Sequence, residues 1–153
     1  GRRFEVRGQA RGVTVVDDYA HHPTEIRATI AAARERYPAA RLWAVFQPHT
    51  YSRTREMLDD FAAALSLADR VVLAPIYAAR ENDDLGVSSA DIARRIDGRP
   101  VTVVESPVEA GAAVAADAEA GDVVLILGAG DIWKAGERLL GLLGAGGQGI
   151  GGT

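Results

Sequence analysis

The chain has 153 residues, a length that suits one compact α/β domain better than two. It is 48% hydrophobic and 25% charged, so it can bury a core and lacks the composition of a disordered chain. Its net charge of −4 and the absence of clustered Lys and Arg argue against a nucleic-acid partner. The absence of cysteine excludes disulfides, thiolate nucleophiles and Cys-ligated zinc.

The sequence carries no signal for a membrane. No apolar run approaches the roughly 18 residues that a transmembrane helix needs, and no signal-peptide core follows the first residues. We therefore expect a cytoplasmic location and no membrane partner. The chain begins with Gly1 rather than Met, so we expect it to be a piece of a longer protein.

Short β-rich runs alternate with segments of helical periodicity. Residues 4–7 and 13–16 flank a glycine-containing turn and predict an antiparallel ribbon. Further strands are predicted at residues 42–46, 71–74, 101–104 and 122–127. This order predicts an α/β, Rossmann-like fold, in which a mainly parallel sheet has helices on both faces and opens with the antiparallel ribbon.

Helices are predicted in the intervals between these strands. One begins at Pro23, and a single helix is predicted to carry Met57, Phe61 and Leu65, which are spaced four residues apart. The last helix is predicted over residues 131–143. We therefore predict one domain over residues 1–143, followed by a glycine-rich, flexible tail over residues 144–153.

Most of the unusual polar residues lie in the predicted loops that follow the strands. In parallel α/β sheets, ligands bind in the loops beyond the carboxyl ends of the strands. The loops in question span residues 17–23, 47–53, 75–84, 105–106 and 128–131. The sequence therefore predicts a binding site at one edge of the sheet.

The first of these loops, residues 17–23, has the sequence Asp-Asp-Tyr-Ala-His-His-Pro. Its carboxylates can accept hydrogen bonds from ribose hydroxyls, its tyrosine can stack on a base and its histidines can contact an anion. Alternatively, Asp17 or Asp18 caps the turn and the histidines are only half exposed. The clustering of these side chains before a helix favours the functional interpretation.

The second loop and the helix start that follows it carry Arg53 and Arg55. Arginine at a helix N-terminus opposes the helix dipole, so two of them there indicate an anionic ligand. A guanidinium group can grip a carboxylate or a phosphate with two parallel hydrogen bonds. The alternative is a solvated helix face.

Several familiar sites are absent from the sequence. All three histidines lie in the first two loops, but two are adjacent and diverge, and no His-Glu-x-x-His spacing occurs, so no metal site is predicted. Residues 128–131 lack the third glycine of a dinucleotide fingerprint, and Asp131 is predicted to cap the last helix. The only lysine is Lys134 and no phosphate-binding P-loop occurs, so the chain is not a self-sufficient P-loop ATPase.

Three motifs together resemble the C-terminal domain of the Mur ligases, in the branch that joins L-alanine to UDP-N-acetylmuramate. They are Asp-Asp-Tyr-Ala-His-His-Pro-Thr-Glu at residues 17–25, Phe-Gln-Pro-His-x-Tyr-Ser-Arg-Thr at residues 46–54 and Gly-Ala-Gly-Asp-Ile at residues 128–132. The resemblance runs in order from residue 2 to about residue 143, and the first two motifs together are highly specific. The opening Arg-Arg-Phe also resembles the start of that domain.

The resemblance implies a three-domain enzyme of peptidoglycan synthesis. An N-terminal domain would bind the UDP-sugar, and a central domain would hold ATP and Mg²⁺. This chain would be the third domain, which closes over the site. ATP would convert the muramoyl carboxylate to an acyl phosphate, which the amine of L-alanine would attack. The isolated domain is therefore expected to be inactive.

The resemblance also implies roles for individual residues. Nucleotide contacts are expected of Arg3, Asp18 and Tyr19. Catalytic contacts with the carboxylate, the acyl phosphate or the amino acid are expected of His21, His49 and Arg53. Substrate binding is expected of a further set, His22, Tyr77, Arg80, Gly130 and Asp131.

One position departs from the family pattern. The family often has Arg after Gln-Pro-His, where this chain has Thr50, so Arg53 is left as the anion grip, helped by Arg55. Three alternatives stay open. They are the related ligase that recycles an intact tripeptide, a stand-alone nucleotide- or anion-binding module, and a metal-dependent hydrolase that uses the Asp and His residues of the first two loops.

Overall fold

The computed structural model describes residues 2–148. Its strands are β1 (Glu5–Ala10), β2 (Val13–Asp18), β3 (Leu42–Phe46), β4 (Arg70–Leu73), β5 (Val101–Val103) and β6 (Val123–Leu127). They form one six-stranded sheet in the order β1-β2-β6-β3-β4-β5. Only β1 and β2 pair antiparallel, whereas the other pairs are parallel. The predicted Rossmann-like α/β fold with an antiparallel opening is confirmed.

Helices cover both faces of the sheet, as predicted. They are α1 (Pro23–Arg36), α2 (Tyr51–Glu56), α3 (Leu58–Leu65), α4 (Ser89–Ala93), α5 (Pro107–Asp117) and α6 (Trp133–Gln148). One core cluster packs α1, α3 and α4 against one face, and a second packs α5 and α6 against the other. No helix within residues 2–148 has the length and apolar character that crossing a bilayer requires.

The helix predicted through Met57 is two helices. Met57 ends α2 by donating its backbone N–H to the Thr54 carbonyl at 3.2 Å, and its φ of −124° takes it out of the helical region. Asp59 and Asp60 then lie in the first turn of α3, where carboxylates favour a helix start. The spacing of the apolar residues identified the buried face of the helix, but it contains no signal for this local break.

The last helix is longer than the sequence predicted. Its backbone continues to Gln148 instead of ending at Leu143. Glycine lowers helix propensity by about 1 kcal/mol per residue but can adopt helical φ and ψ, so glycine-rich composition does not by itself end a helix. Residues 149–153 of the predicted tail lie outside the described residues, and its flexibility stays a prediction.

Four strands end level with one another. Asp18, the last residue of β2, pairs with Leu127 of β6, which pairs with Phe46 of β3, which in turn pairs with Leu73 of β4. Because these strands are parallel, the loops that follow them start from one row at one edge of the sheet. We call this edge the carboxyl edge.

A buried aspartate accepts several hydrogen bonds at the opposite edge of the sheet. Asp122, just before β6, accepts hydrogen bonds from Arg41 Nη2 at 2.8 Å, Trp43 Nε1 at 2.8 Å and the Glu119 N–H at 2.9 Å. Burial acts to raise the pKa of Asp122, but these donors outweigh it and lower the pKa below its usual value. The carboxylate is therefore ionised and saturated at neutral pH, which fits a structural role.

Two helical glycines give a test of the helix layer formed by α5 and α6. A Cβ at Gly111 of α5 would lie 2.6 Å from the Ala135 carbonyl oxygen of α6, whereas a Cβ at Gly141 would have nothing within 4 Å. We expect Gly111→Ala to lower the free energy of unfolding by about 1–3 kcal/mol through overpacking. Gly141→Ala should raise it by up to about 1 kcal/mol through helix propensity. Urea denaturation measures both, and equal effects would contradict the described helix contact.

Candidate functional site

Four aromatic rings form a row across the carboxyl edge. The ring centroids of Tyr19 and His21 are 5.2 Å apart, those of His21 and His49 5.7 Å, and those of His49 and Tyr77 5.6 Å. These side chains come from the loops after β2, β3 and β4. The fold therefore brings together three of the predicted loops, with both outer rings exposed, Tyr19 to 45% and Tyr77 to 39%.

Asp18 holds the first loop to the start of the chain. Its Oδ1 accepts the Ala20 N–H at 2.8 Å, its Oδ2 accepts the Phe4 N–H at 2.9 Å, and Arg3 Nη1 lies 3.7 Å from Oδ1. The carboxylate is buried, whereas the Arg3 side chain is 64% exposed. Asp18 thus positions Tyr19 and Arg3, and its predicted contact with a nucleotide stays a prediction.

Arg2 ties the opening of the chain to two loops at once. Its carbonyl accepts the Tyr19 N–H at 2.5 Å, and its Nη2 donates to the Gly128 carbonyl at 3.1 Å. Its Nε donates to Asp17 at 3.3 Å. Burial raises the pKa of Asp17, and Arg2 only partly offsets that effect. One oxygen of Asp17 is therefore engaged by Arg2, whereas its Oδ1 is buried without a hydrogen-bond partner among the described residues.

The two adjacent histidines have different tasks. His22 is the N-cap of α1, and its Nδ1 accepts the Thr24 N–H at 3.3 Å. His21 Nδ1 lies 3.1 Å from the Tyr19 carbonyl, which can only accept, so Nδ1 donates this hydrogen bond and leaves Nε2 free of it. Glu25 accepts the backbone N–H groups of both histidines. The bond from His21 is the largest of the effects that lower the pKa of Glu25.

The second loop is fastened to the loop after β4. Thr50 donates its N–H to the Tyr77 carbonyl at 2.8 Å, and Tyr77 donates its own to the Pro48 carbonyl at 2.8 Å. Thr50 has a φ of 70°, a strained value for a β-branched residue. The bonds on both sides hold this strained backbone in place and fix the direction of the His49 side chain between them.

His49 is kept neutral by its surroundings. Burial is the largest effect that lowers its pKa, and the charges of His21 and Arg53 lower it further, against a smaller opposing effect of Glu81. At neutral pH its ring therefore carries a lone pair that can accept a proton or a hydrogen bond. Its Nδ1 is buried without a hydrogen-bond partner among the described residues.

Arg53 lies near this histidine, and a second arginine, Arg80, lies in the neighbouring loop. Arg53 lies in the first turn of α2 and is half-buried, and Arg80 lies exposed in the loop after β4. Within the described part of the chain, neither guanidinium forms an ion pair with a carboxylate. A guanidinium near a neutral imidazole, with no carboxylate partner among residues 2–148, makes this end of the edge suited to a carboxylate or phosphate.

The loop after β6 packs against residues of the loops that follow β3 and β4. A Cβ at Gly130 would lie 2.6 Å from Gln47 Oε1 and 2.8 Å from Tyr77 Cδ2, so any larger residue would have to displace both of these side chains. Gln47 Nε2 donates to Asp131 Oδ1 at 2.7 Å. The predicted capping role of Asp131 is wrong, because α6 begins only at Trp133 and the carboxylate is turned to Gln47. The predicted substrate contacts of both residues stay predictions.

Glu81 is the residue of this edge that the sequence did not single out. Its carboxylate accepts hydrogen bonds from Tyr51 and Ser52 at the start of α2. No local signal could have identified it, because its partners lie about thirty residues earlier in the chain. Among residues 2–148, no group of three or more His, Asp or Glu side chains is placed to hold a metal ion.

The neighbourhood of His49 can be tested by NMR, since the chain has only three histidines. We expect Arg53→Ala to raise the pKa of His49, because it removes a positive charge that disfavours the imidazolium. Arg55→Ala is the matched control, since Arg55 is exposed on the same helix and does not contribute to the shift. A His49 titration that is the same in both variants would contradict the described arrangement of Arg53.

Comparison with known proteins identifies the family. Residues 2–130 match the family model described as "Mur ligase, glutamate ligase domain". UDP-N-acetylmuramate–L-alanine ligases from Lachnospira eligens and Mycolicibacterium gilvum are each 52% identical, over 141 and 142 residues. In both cases the match covers 91% of this chain, which spans only 30% of the relative's length.

Solved structures show the same relation. The UDP-N-acetylmuramate–alanine ligase of Thermotoga maritima superposes with a TM-score of 0.76 at 28% identity, over 95% of this chain and 30% of that one. A murein peptide ligase from Psychrobacter arcticus gives a TM-score of 0.77 at 26% identity, over 94% and 30%. A separately solved domain of a putative ligase from Haemophilus ducreyi, 28% identical with a TM-score of 0.72, is covered to 99%, against 92% of this chain. The chain therefore belongs to the family of Mur ligase C-terminal domains.

Proposed function

We propose that this chain is the C-terminal domain of an ATP-dependent, ADP-forming ligase that joins L-alanine to UDP-N-acetylmuramate in peptidoglycan synthesis. The observation that carries the proposal is that His21, the neutral His49 and the Arg53 guanidinium lie together at the carboxyl edge. The names of the relatives at 52% identity supply the substrates. The activity belongs to the complete enzyme, in which N-terminal and central domains supply the rest of the site.

Amide formation makes two demands that these residues can meet. The amine of L-alanine must lose a proton as it attacks the acyl carbon, and negative charge must be stabilised on the acyl oxygen and on the departing phosphate. His49, neutral at neutral pH, and the Nε2 of His21 are the candidate proton acceptors. Arg53 is the candidate for stabilising the negative charge, because it lies near His49 and pairs with no carboxylate among the described residues.

The nucleotide would lie at the other end of the row of rings. Tyr19 offers an exposed ring for stacking on a base, and Arg3 offers an exposed guanidinium beside it. ATP supplies the phosphoryl group that activates the muramoyl carboxylate as an acyl phosphate. The chain lacks a P-loop, and its described residues form no metal-binding cluster, so we assign the phosphate cradle and Mg²⁺ to the central domain. We place the enzyme in the cytoplasm.

A tripeptide-recycling ligase is the second candidate. The murein peptide ligase of Psychrobacter arcticus matches this fold with a TM-score of 0.77, against 0.76 for the alanine ligase of Thermotoga maritima, so the fold alone does not separate the two activities. The sequence relatives at 52% identity favour L-alanine. The two candidates differ in the amine-bearing substrate, which an assay distinguishes directly.

The test is a phosphate-release assay on the complete enzyme with ATP, Mg²⁺ and UDP-N-acetylmuramate, and either L-alanine or the tripeptide. We expect turnover with L-alanine and none from the 153-residue chain alone. Arg53→Ala should lower kcat/KM by about 10²- to 10³-fold, the usual effect of removing a donor to developing negative charge. Arg55→Ala should lower it much less, because Arg55 is exposed and has only a helping role, and both variants should fold normally by thermal denaturation.

Two results would contradict this function. Turnover supported by the tripeptide but not by L-alanine would assign the chain to the recycling ligase. Turnover by this chain without the other domains would overturn the proposal altogether, because its residues include no P-loop to hold the phosphates.

A further inference from the structure

The segment from Tyr77 to Glu81 is fastened to the second loop at both of its ends. At Tyr77, two backbone hydrogen bonds of 2.8 Å join it to Pro48 and Thr50. At Glu81, the carboxylate accepts the Tyr51 N–H at 2.5 Å, the Ser52 N–H at 3.2 Å and the Ser52 hydroxyl at 2.5 Å. The second fastening uses a side chain, so one substitution can remove it. We call it the Glu81 latch.

Between the two fastenings the backbone makes a tight turn. Glu81 donates its N–H to the Ala78 carbonyl at 3.0 Å, and Ala79 has a φ of 56°, in the left-handed region. Arg80 lies between these residues and is exposed. The turn is strained at Ala79 and has little surface to bury, so the carboxylate is its main attachment on this side.

The other side of the latch is the start of the helix that carries Arg53. Tyr51 and Ser52 are the first two residues of α2, and Arg53 follows them directly. The helix has only six residues, and its side-chain cap from Thr50 is long, at 3.4 Å to the Arg53 N–H. A short helix with a weak cap depends on outside acceptors for its first N–H groups. Glu81 supplies them.

We propose that Glu81 is a positioning residue, which holds the turn that carries Arg80 against the start of α2 so that Arg80 can recognise the amino-acid substrate's carboxylate. This inference rests on the proposed function and deepens it. The carboxylate of Glu81 is itself occupied, because both of its oxygens already accept hydrogen bonds from the start of α2. The bonds from Ser52, the largest effect, and from Tyr51 lower the pKa of Glu81, so the latch stays closed around neutral pH.

The latch itself is tested on the 153-residue chain by amide hydrogen exchange. Glu81→Ala should speed the exchange of the Tyr51 and Ser52 amides, which lose their acceptor. Glu81→Gln should restore protection in large part, since its amide oxygen can accept the same N–H groups. Glu56→Ala is the matched control, an exposed glutamate at the end of the same helix. Unchanged exchange in Glu81→Ala would show that no latch exists and would overturn the proposal.

The role in recognition is tested by steady-state kinetics of the complete enzyme. Glu81→Ala should raise KM for L-alanine on the order of 10- to 100-fold, as misplacement of binding groups by about 1 Å does. KM for UDP-N-acetylmuramate and for ATP should stay near the wild-type values, and Glu81→Gln should recover most of the loss. Ser52→Ala, which removes one of the bonds, should give a smaller change in the same direction.

Other outcomes of these kinetic measurements would contradict the recognition role. A wild-type KM for L-alanine in Glu81→Ala would overturn the recognition role. So would a uniform rise of all three KM values with a lower Tm, because that pattern marks a merely structural residue. If the wild-type enzyme shows no turnover with L-alanine, the proposed function fails and the recognition role fails with it. Hydrogen exchange still reports separately whether the latch exists.

Discussion

The site depends on the level ending of four parallel strands. Asp18, Leu127, Phe46 and Leu73 lie in one register row, so the loops after β2, β6, β3 and β4 start side by side. Residues that are far apart in the chain then meet without long excursions of the backbone. A one-residue slip in any of these pairings would turn a whole set of side chains to the other face of the sheet. The buried apolar strands that prevent such a slip therefore also define the site.

Within that frame, carboxylates that accept hydrogen bonds from the protein backbone orient the side chains of the candidate site. Asp18 holds the Tyr19 loop to the start of the chain, and Glu25 accepts the N–H groups that set His21. Glu81 does the same for the start of α2. Each of these carboxylates accepts two or more hydrogen bonds from the protein itself. Such supports explain how loops, which are otherwise the mobile parts of a fold, can present a defined constellation.

The sequence predicted the sheet and its loops well because their signals are local. Short apolar runs predicted the strands, and clusters of His, Asp and Arg predicted the loops that carry the candidate site. The sequence did not predict the hydrogen-bond partners of individual residues. That His22 caps α1, that Asp131 turns to Gln47 and that Glu81 holds α2 all follow from partners chosen by the tertiary fold. The end of the last helix escaped prediction for another reason, since glycine weakens a helix without terminating it.

The electrostatics of the edge would link anion binding to the protonation of His49. The positive charge of Arg53 is one of the effects that lower the pKa of His49, after burial and the charge of His21. A carboxylate or phosphate paired with Arg53 would cancel part of that effect and would raise the pKa of His49. The imidazole would then be a stronger base in the occupied site. By linkage, proton uptake at His49 would also strengthen the binding of the anion. Such a coupling would need only a guanidinium placed beside a partly buried imidazole.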